Sequence, residues 1–127
     1  MAILGVGMDV CAVDRIRRIL AGPSGRRFRA RVFTEAEQAY CEARADKASP
    51  YAARFAAKEA LVKALGAPAG IHWTDMEVLP AVGGPPSFRL TGVAASALAA
   101  NKGRAWLALT HDAGVAAATV VLETETP

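Results

Sequence analysis

Cysteine is scarce in this chain of 127 residues: only Cys11 and Cys41 occur, thirty positions apart. Neither has a CxxC or Cys/His companion. That excludes a disulfide framework and a structural zinc site, and it favours a reducing cytoplasm. Long apolar runs are missing too. None approaches the roughly 18 residues a membrane helix needs, so no membrane is expected as a partner. The opening MAILGVGMDV lacks a basic flank and a cleavage site, and it is not read as a signal peptide. No P-loop, GxGxxG, HExxH or GxSxG occurs. Aromatics are 6% of the chain, too few around its arginines to support base stacking, so nucleic acid is not an expected partner. Acids are absent from 15–31, which holds seven arginines: 15, 17, 18, 26, 27, 29 and 31. Such one-sided charge suits an acidic partner.

What is present reads as one α+β domain over 1–127, with an antiparallel sheet packed against a long central helix. Residues 2–10 form an apolar strand in which Gly5 and Gly7 allow close backbone approach. Asp14 is placed to cap a short basic helix, which Gly22-Pro23-Ser24-Gly25 breaks. Thr34-Glu35-Ala36-Glu37 spells a capping box, predicting a helix over 35–44. Ser49-Pro50 and Gly66 bracket a helix over 50–65 as cap, first-turn proline and stop. Strands are expected at 74–79 and 87–91 around a Gly83-Gly84-Pro85-Pro86 turn. A helix over 92–101 opening at Thr91 and strands at 105–110 and 115–122 complete the chain.

The central helix carries the chemistry. At about 100° per residue, Tyr51, Phe55, Val62 and Leu65 share a stripe; Lys58 falls inside it, with Glu59 and Lys63 at its edge. One reading is a surface pair between Glu59 and Lys63, spaced i, i+4, with Lys58 reaching for water. The other begins from Asp9, a carboxylate inside the apolar run Met8-Asp9-Val10. Asp9 and Glu59 together would make a Mg²⁺ site completed by waters and substrate phosphates, with Arg54, Lys58 and Lys63 facing those phosphates. His111 ends a strand beside a turn, whereas His72 has no neighbour that gives it a chemical role.

The segments GVGMDVCAVDRI, RFAAKEALVKALG at 54–66, IHWTDMEV at 71–78 and LTHDAGVAAATVVLE resemble the holo-acyl-carrier-protein synthase family, the small 4′-phosphopantetheinyl transferases. The likeness is collinear over nearly the whole chain. It implies transfer of the phosphopantetheine arm of coenzyme A to a serine of apo acyl carrier protein, releasing adenosine 3′,5′-bisphosphate, in fatty-acid or polyketide synthesis.

The resemblance also implies roles. Asp9 and Glu59 become magnesium ligands, with Glu59 taking the serine proton and Lys63 stabilising the leaving phosphate. Arg54 lies near the phosphates, and His111 orients the pyrophosphate. Ala108-Leu109-Thr110-His111 stands where the family has SxSH, leaving the Thr110 hydroxyl as a contact. Gly66, Gly84 and Pro86 join the coenzyme A site, and Arg44 and Lys47 are the matches for its 3′-phosphate. Arg15 matches a carrier-contacting arginine; Arg18, Arg26 and Arg27 extend that surface. The family assembles as a homotrimer with sites shared between subunits. Two other readings of the same residues are a Mg²⁺-dependent nuclease or phosphodiesterase, and a non-enzymatic adaptor for an acidic protein.

Overall fold

Gly5 and Gly7 decide how the core is built. In the computed structural model, which describes residues 1–125, they lie in the first strand, β1 (Ala2–Ala12), against a helix, α4 (Ala48–Ala64). A Cβ on Gly5 would collide with the Ala64 carbonyl, and one on Gly7 with the Ala60 carbonyl. Two glycines facing two alanines thus bring strand and helix into backbone contact, as their small size predicts. Most of α4 is buried, with Tyr51, Ala52, Ala56, Ala57, Ala60 and Leu61 fully enclosed.

Between these elements lie α1 (Val13–Ala21), α2 (Gly25–Val32) and α3 (Glu35–Glu42). After α4 come a 3₁₀ turn (Trp73–Asp75), β2 (Met76–Leu79), β3 (Ser87–Leu90), α5 (Gly92–Ala99), β4 (Gly103–Asp112) and β5 (Val115–Thr124). The expected antiparallel architecture is present but divided. One sheet runs β1-β5-β4, and β2-β3 form a separate hairpin. In the larger sheet β5 is central; Asp9 pairs with Ala118, itself paired with Leu109, and Cys11 and His111 flank Ala116 in the same way. β1 and β4 therefore form its two edges, with α4 covering the inner face.

The capping box forms in full: the Glu37 amide donates to Thr34 Oγ1, and the Thr34 amide to Glu37 Oε1. Two other expectations need correction. Asp14 does not cap α1, which starts from Ala12; it sits in the first turn and pairs with Arg17. Ser49 does not cap α4, which starts a residue earlier at Ala48; its hydroxyl donates to Asp46 at 2.7 Å instead. Pro50 is tolerated there because a first-turn residue has no helical partner for its amide. The basic segment after Gly25 is helical. Its Phe28 packs edge-on against Phe33 (5.6 Å) and against Phe55 (5.8 Å), so tertiary contact forms a helix that local pattern did not announce. Both cysteines are free and buried. No helix among the described residues is long and apolar enough to cross a membrane.

Candidate functional site

The close crossing of β1 and α4 leaves the next inward residue of β1, Asp9, at the edge of the contact. Its carboxylate accepts from Lys63 Nζ at 3.1 Å, and the same ammonium donates to the Met8 carbonyl at 3.0 Å. Lys63 is 54% exposed and Asp9 18%, so this pair opens to solvent. Glu59 lies one turn earlier on α4, half-buried, and its carboxylate makes no hydrogen bond or ion pair among the described residues. The surface pairing of Glu59 with Lys63 is therefore not what forms; the ammonium reaches across to β1. The Cys11 thiol feels the charge of these groups. Burial pushes its thiol up, Arg15 draws it down, and Asp9 and Glu59 raise it further.

Two carboxylates on rigid elements, one of them unengaged, present hard oxygen donors. That donor set fits Mg²⁺, which keeps several waters and takes the rest of its shell from phosphates. No cluster of three or more His, Cys, Asp or Glu suited to a metal occurs among the described residues. A transition-metal centre has no support from the donor set.

A second cluster lies at the opposite edge of the sheet. A cavity of about 350 Å³ is lined by Tyr40, Arg44, Ser49, Arg54, Thr110 and His111, among others. Arg54 is only 4% exposed, and its Nε, buried, has no hydrogen-bond partner. Its Nη1 donates weakly to the Pro50 carbonyl at 3.4 Å. Neither Arg54 nor Arg44 has a carboxylate partner among the described residues. The helix explains the division: Glu59 follows Arg54 by five residues, about 140° around the axis. One chain thus separates Asp9, Glu59 and Lys63 from Arg44, Arg54, Thr110 and His111.

The remaining expected contacts are not gathered at either place. Gly66 follows α4 with φ +80°, exposed, and Gly84 and Pro86 lie in the β2–β3 connection. Lys47 pairs with Glu42 at 3.2 Å. Lys58 does not face phosphates, nor does it reach water. Both it and Glu37 are fully buried and bonded at 2.7 Å, and Lys58 also donates to the Trp73 carbonyl at 3.1 Å. Burial pulls its pKa down while Glu37 pulls it up. Its place inside the apolar stripe is explained by Glu37, a partner from α3 that helix periodicity could not reveal.

The arginines divide similarly. Arg17 is held by Asp14 and Asp46, and Arg29 by Glu42 at 2.9 Å. Arg15, Arg18, Arg26 and Arg27 are exposed without ion pairs among the described residues. Sequence reasoning missed Tyr40, whose spacing of four before Arg44 was the available signal.

The 4′-phosphopantetheinyl transferase superfamily matches residues 5–120. A holo-[acyl-carrier-protein] synthase of Myxococcus xanthus is 61% identical over 125 residues, covering 98% of each chain. One from Frankia casuarinae is 49% identical, covering 98% of this chain and 100% of that one. Among solved structures, the synthase–coenzyme A complex of Chronobacterium ammoniagenes superposes with a TM-score of 0.82 at 26% identity, covering 98% and 99% of the two chains. The Helicobacter pylori synthase in complex with coenzyme A superposes at 0.78 and 26% identity, covering 93% of this chain and 99% of that one.

Proposed function

The chain belongs to the holo-acyl-carrier-protein synthases of the 4′-phosphopantetheinyl transferase superfamily, and from that premise we propose how its residues carry out the reaction. It transfers the 4′-phosphopantetheine arm of coenzyme A to a serine of apo acyl carrier protein. The observation that carries the assignment of roles is the meeting of Asp9, Lys63 and Glu59 at the crossing of β1 and α4. Phosphoryl chemistry asks chiefly for positioning and neutralised charge.

Asp9 and Glu59 are the assigned ligands of a magnesium ion, which when bound supplies positive charge to the pyrophosphate. Glu59, unengaged in the chain itself, takes the proton from the carrier serine as its oxygen attacks phosphorus. The bond from that phosphorus to the bridging oxygen breaks, and adenosine 3′,5′-bisphosphate leaves. Lys63, already turned to this point by Asp9, stabilises the phosphate that departs. Thr110 and His111 hold the pyrophosphate, Arg44 and Arg54 the 3′-phosphate, and Lys47, Gly66, Gly84 and Pro86 border the nucleotide.

These two sets of residues open at opposite edges of one sheet. In this reading neighbouring chains contribute one set each to a shared coenzyme A site, in the homotrimer that the family resemblance implies. The outer face of the sheet supports this: Val6, Met8 and Val10 are 60%, 62% and 60% exposed there, with Trp106 at 43%. A contiguous apolar face of that kind marks an interaction surface. The whole of 1–127 then acts as one transferase domain, and the two free cysteines suit the cytoplasm. Arg15, Arg18, Arg26 and Arg27 face the carrier, whose acidity they would complement.

Intact mass spectrometry of apo acyl carrier protein incubated with this protein and coenzyme A tests the reading. A gain of one phosphopantetheine with Mg²⁺ and none with EDTA is expected. Transfer undiminished by EDTA would overturn the metal assignment, and no transfer to several apo carriers by folded protein would overturn the role as a whole.

A further inference from the structure

We propose that Tyr40 is a positioning residue for coenzyme A: its ring gathers Arg44 and Arg54 into one two-armed phosphate clamp and so sets preference for the 3′-phosphorylated cofactor. The proposal deepens the assigned site and rests on that reading. The guanidinium carbons of both arginines lie 4.1 Å from the centre of the Tyr40 ring. Two groups so placed can be no more than about 8 Å apart, twice that distance. A phosphate that meets the free edges of both guanidiniums would accept charge-assisted hydrogen bonds of about 2.8 Å from each arm.

Like charges this close repel; neither arginine forms an ion pair among the described residues, and Asp46, which lines the same cavity, is engaged by Arg17 and Ser49. The electron-rich face of an aromatic ring supplies the missing attraction without a negative charge that would compete with phosphate. A carboxylate in its place would occupy the arms; an aliphatic residue would leave them to splay. The origins of the two arms make the ring decisive. Arg54 comes from α4 and Arg44 from the turn after α3, so no shared backbone segment fixes their spacing. Tyr40, near the end of α3, touches both. The contacts belong to the ring; its hydroxyl makes no hydrogen bond among the described residues. The buried, unpartnered Nε of Arg54 marks donor capacity that the chain alone leaves unused.

The test measures transfer to apo carrier by wild type, Tyr40→Phe and Tyr40→Leu, with coenzyme A and with 3′-dephospho-coenzyme A. Loss of one ring contact predicts a KM for coenzyme A raised about tenfold in Tyr40→Leu. The kcat, the KM for carrier and the KM for the dephospho form should hold within about twofold, so that preference for the 3′-phosphate collapses. Tyr40→Phe, which keeps the ring, should match wild type. Should Tyr40→Leu not fold, Tyr40→Gln, polar and without a π face, takes its place. Equal losses with both cofactors, no change in either, or a Tyr40→Phe as impaired as Tyr40→Leu would each overturn the proposal. Calorimetric binding of adenosine 3′,5′-bisphosphate to the same variants needs no turnover. It keeps failure of the clamp distinct from failure of the transferase reading.

Discussion

Two lysines five positions apart on α4 each meet a carboxylate from another element, and the two pairs have opposite characters. Lys58 and Glu37 are fully buried at 2.7 Å, and Glu37 also accepts from the amides of Thr34 and Val78. Every strong acceptor in that knot is engaged, and the knot ties α3, α4 and β2 together. Lys63 and Asp9 meet at 3.1 Å where solvent reaches both, beside an unengaged Glu59. An exposed pair contributes little to stability and can exchange partners cheaply. A buried one, once half removed, leaves a charge with nowhere to go. The first pair is therefore architecture and the second is the one proposed for chemistry, although sequence spacing offers both lysines as candidate phosphate ligands.

The largest effect should come from breaking the open pair's surroundings. Glu59→Gln keeps the shape of the side chain but cannot take the serine proton, and turnover should fall about 10²- to 10⁴-fold. Lys63→Met should also lower kcat strongly, yet each variant should unfold within about 1 kcal/mol of wild type in urea. A Lys63→Met enzyme with wild-type kcat would erase the distinction drawn between the pairs.

Next in size is the buried pair. Lys58→Met should lower unfolding free energy by about 3–5 kcal/mol, because Glu37 is left as an uncompensated buried carboxylate. Adding Glu37→Leu should recover part of that loss, since both charges then go together. Urea titration of the single and double variants gives the coupling directly. Additive losses would mean the two side chains do not act as a pair.

A smaller effect is expected on the carrier side, where Arg15 is exposed and, like Asp9 and Glu59, acts on the Cys11 thiol. Arg15→Glu should raise the KM for acyl carrier protein about tenfold, less so in high salt, with the KM for coenzyme A little changed. Equal changes in both would assign Arg15 to the nucleotide side instead.

The open cluster was legible because its residues violate local pattern. A carboxylate in the apolar run of β1 and charges at the edge of an apolar helical stripe stand out in one dimension. Gly5 and Gly7 announced the close crossing that brings Asp9 to α4. The buried knot was not legible, since Glu37 precedes Lys58 by twenty-one residues and its capping-box role already explained its presence. The Tyr40 contacts were hidden for a related reason: Arg54 approaches the ring from another helix. The segment of α2 alternates arginine with little apolar periodicity, and it folds because Phe28 finds Phe33 and Phe55. Local rules thus reached whatever strand and helix periodicity could display, and missed what two helices settle between them.

Glu42 offers the smallest test, on a carboxylate intermediate between the two pairs. The Tyr51 hydroxyl donates to it at 2.7 Å, and Arg29 and Lys47 lie within 2.9 and 3.2 Å. Chiefly through the Tyr51 hydrogen bond, its pKa falls from the ordinary 4.5 to about 2. A carboxyl more acidic in the folded than in the unfolded chain stabilises above the unfolded value, and that contribution is lost as pH falls toward the folded one. The loss should therefore run from about pH 4.5 down to about pH 2. At 38% exposure, solvent screening keeps the contribution small. Glu42→Gln should accordingly be less stable than wild type at about pH 6, and the gap should narrow steadily toward about pH 2.5 in urea unfolding. A gap that stays constant across that range would show that Glu42 acts through packing around Tyr51 and not through its charge. The contrast between closed and open carboxylates on this fold would then rest on the two lysine pairs alone.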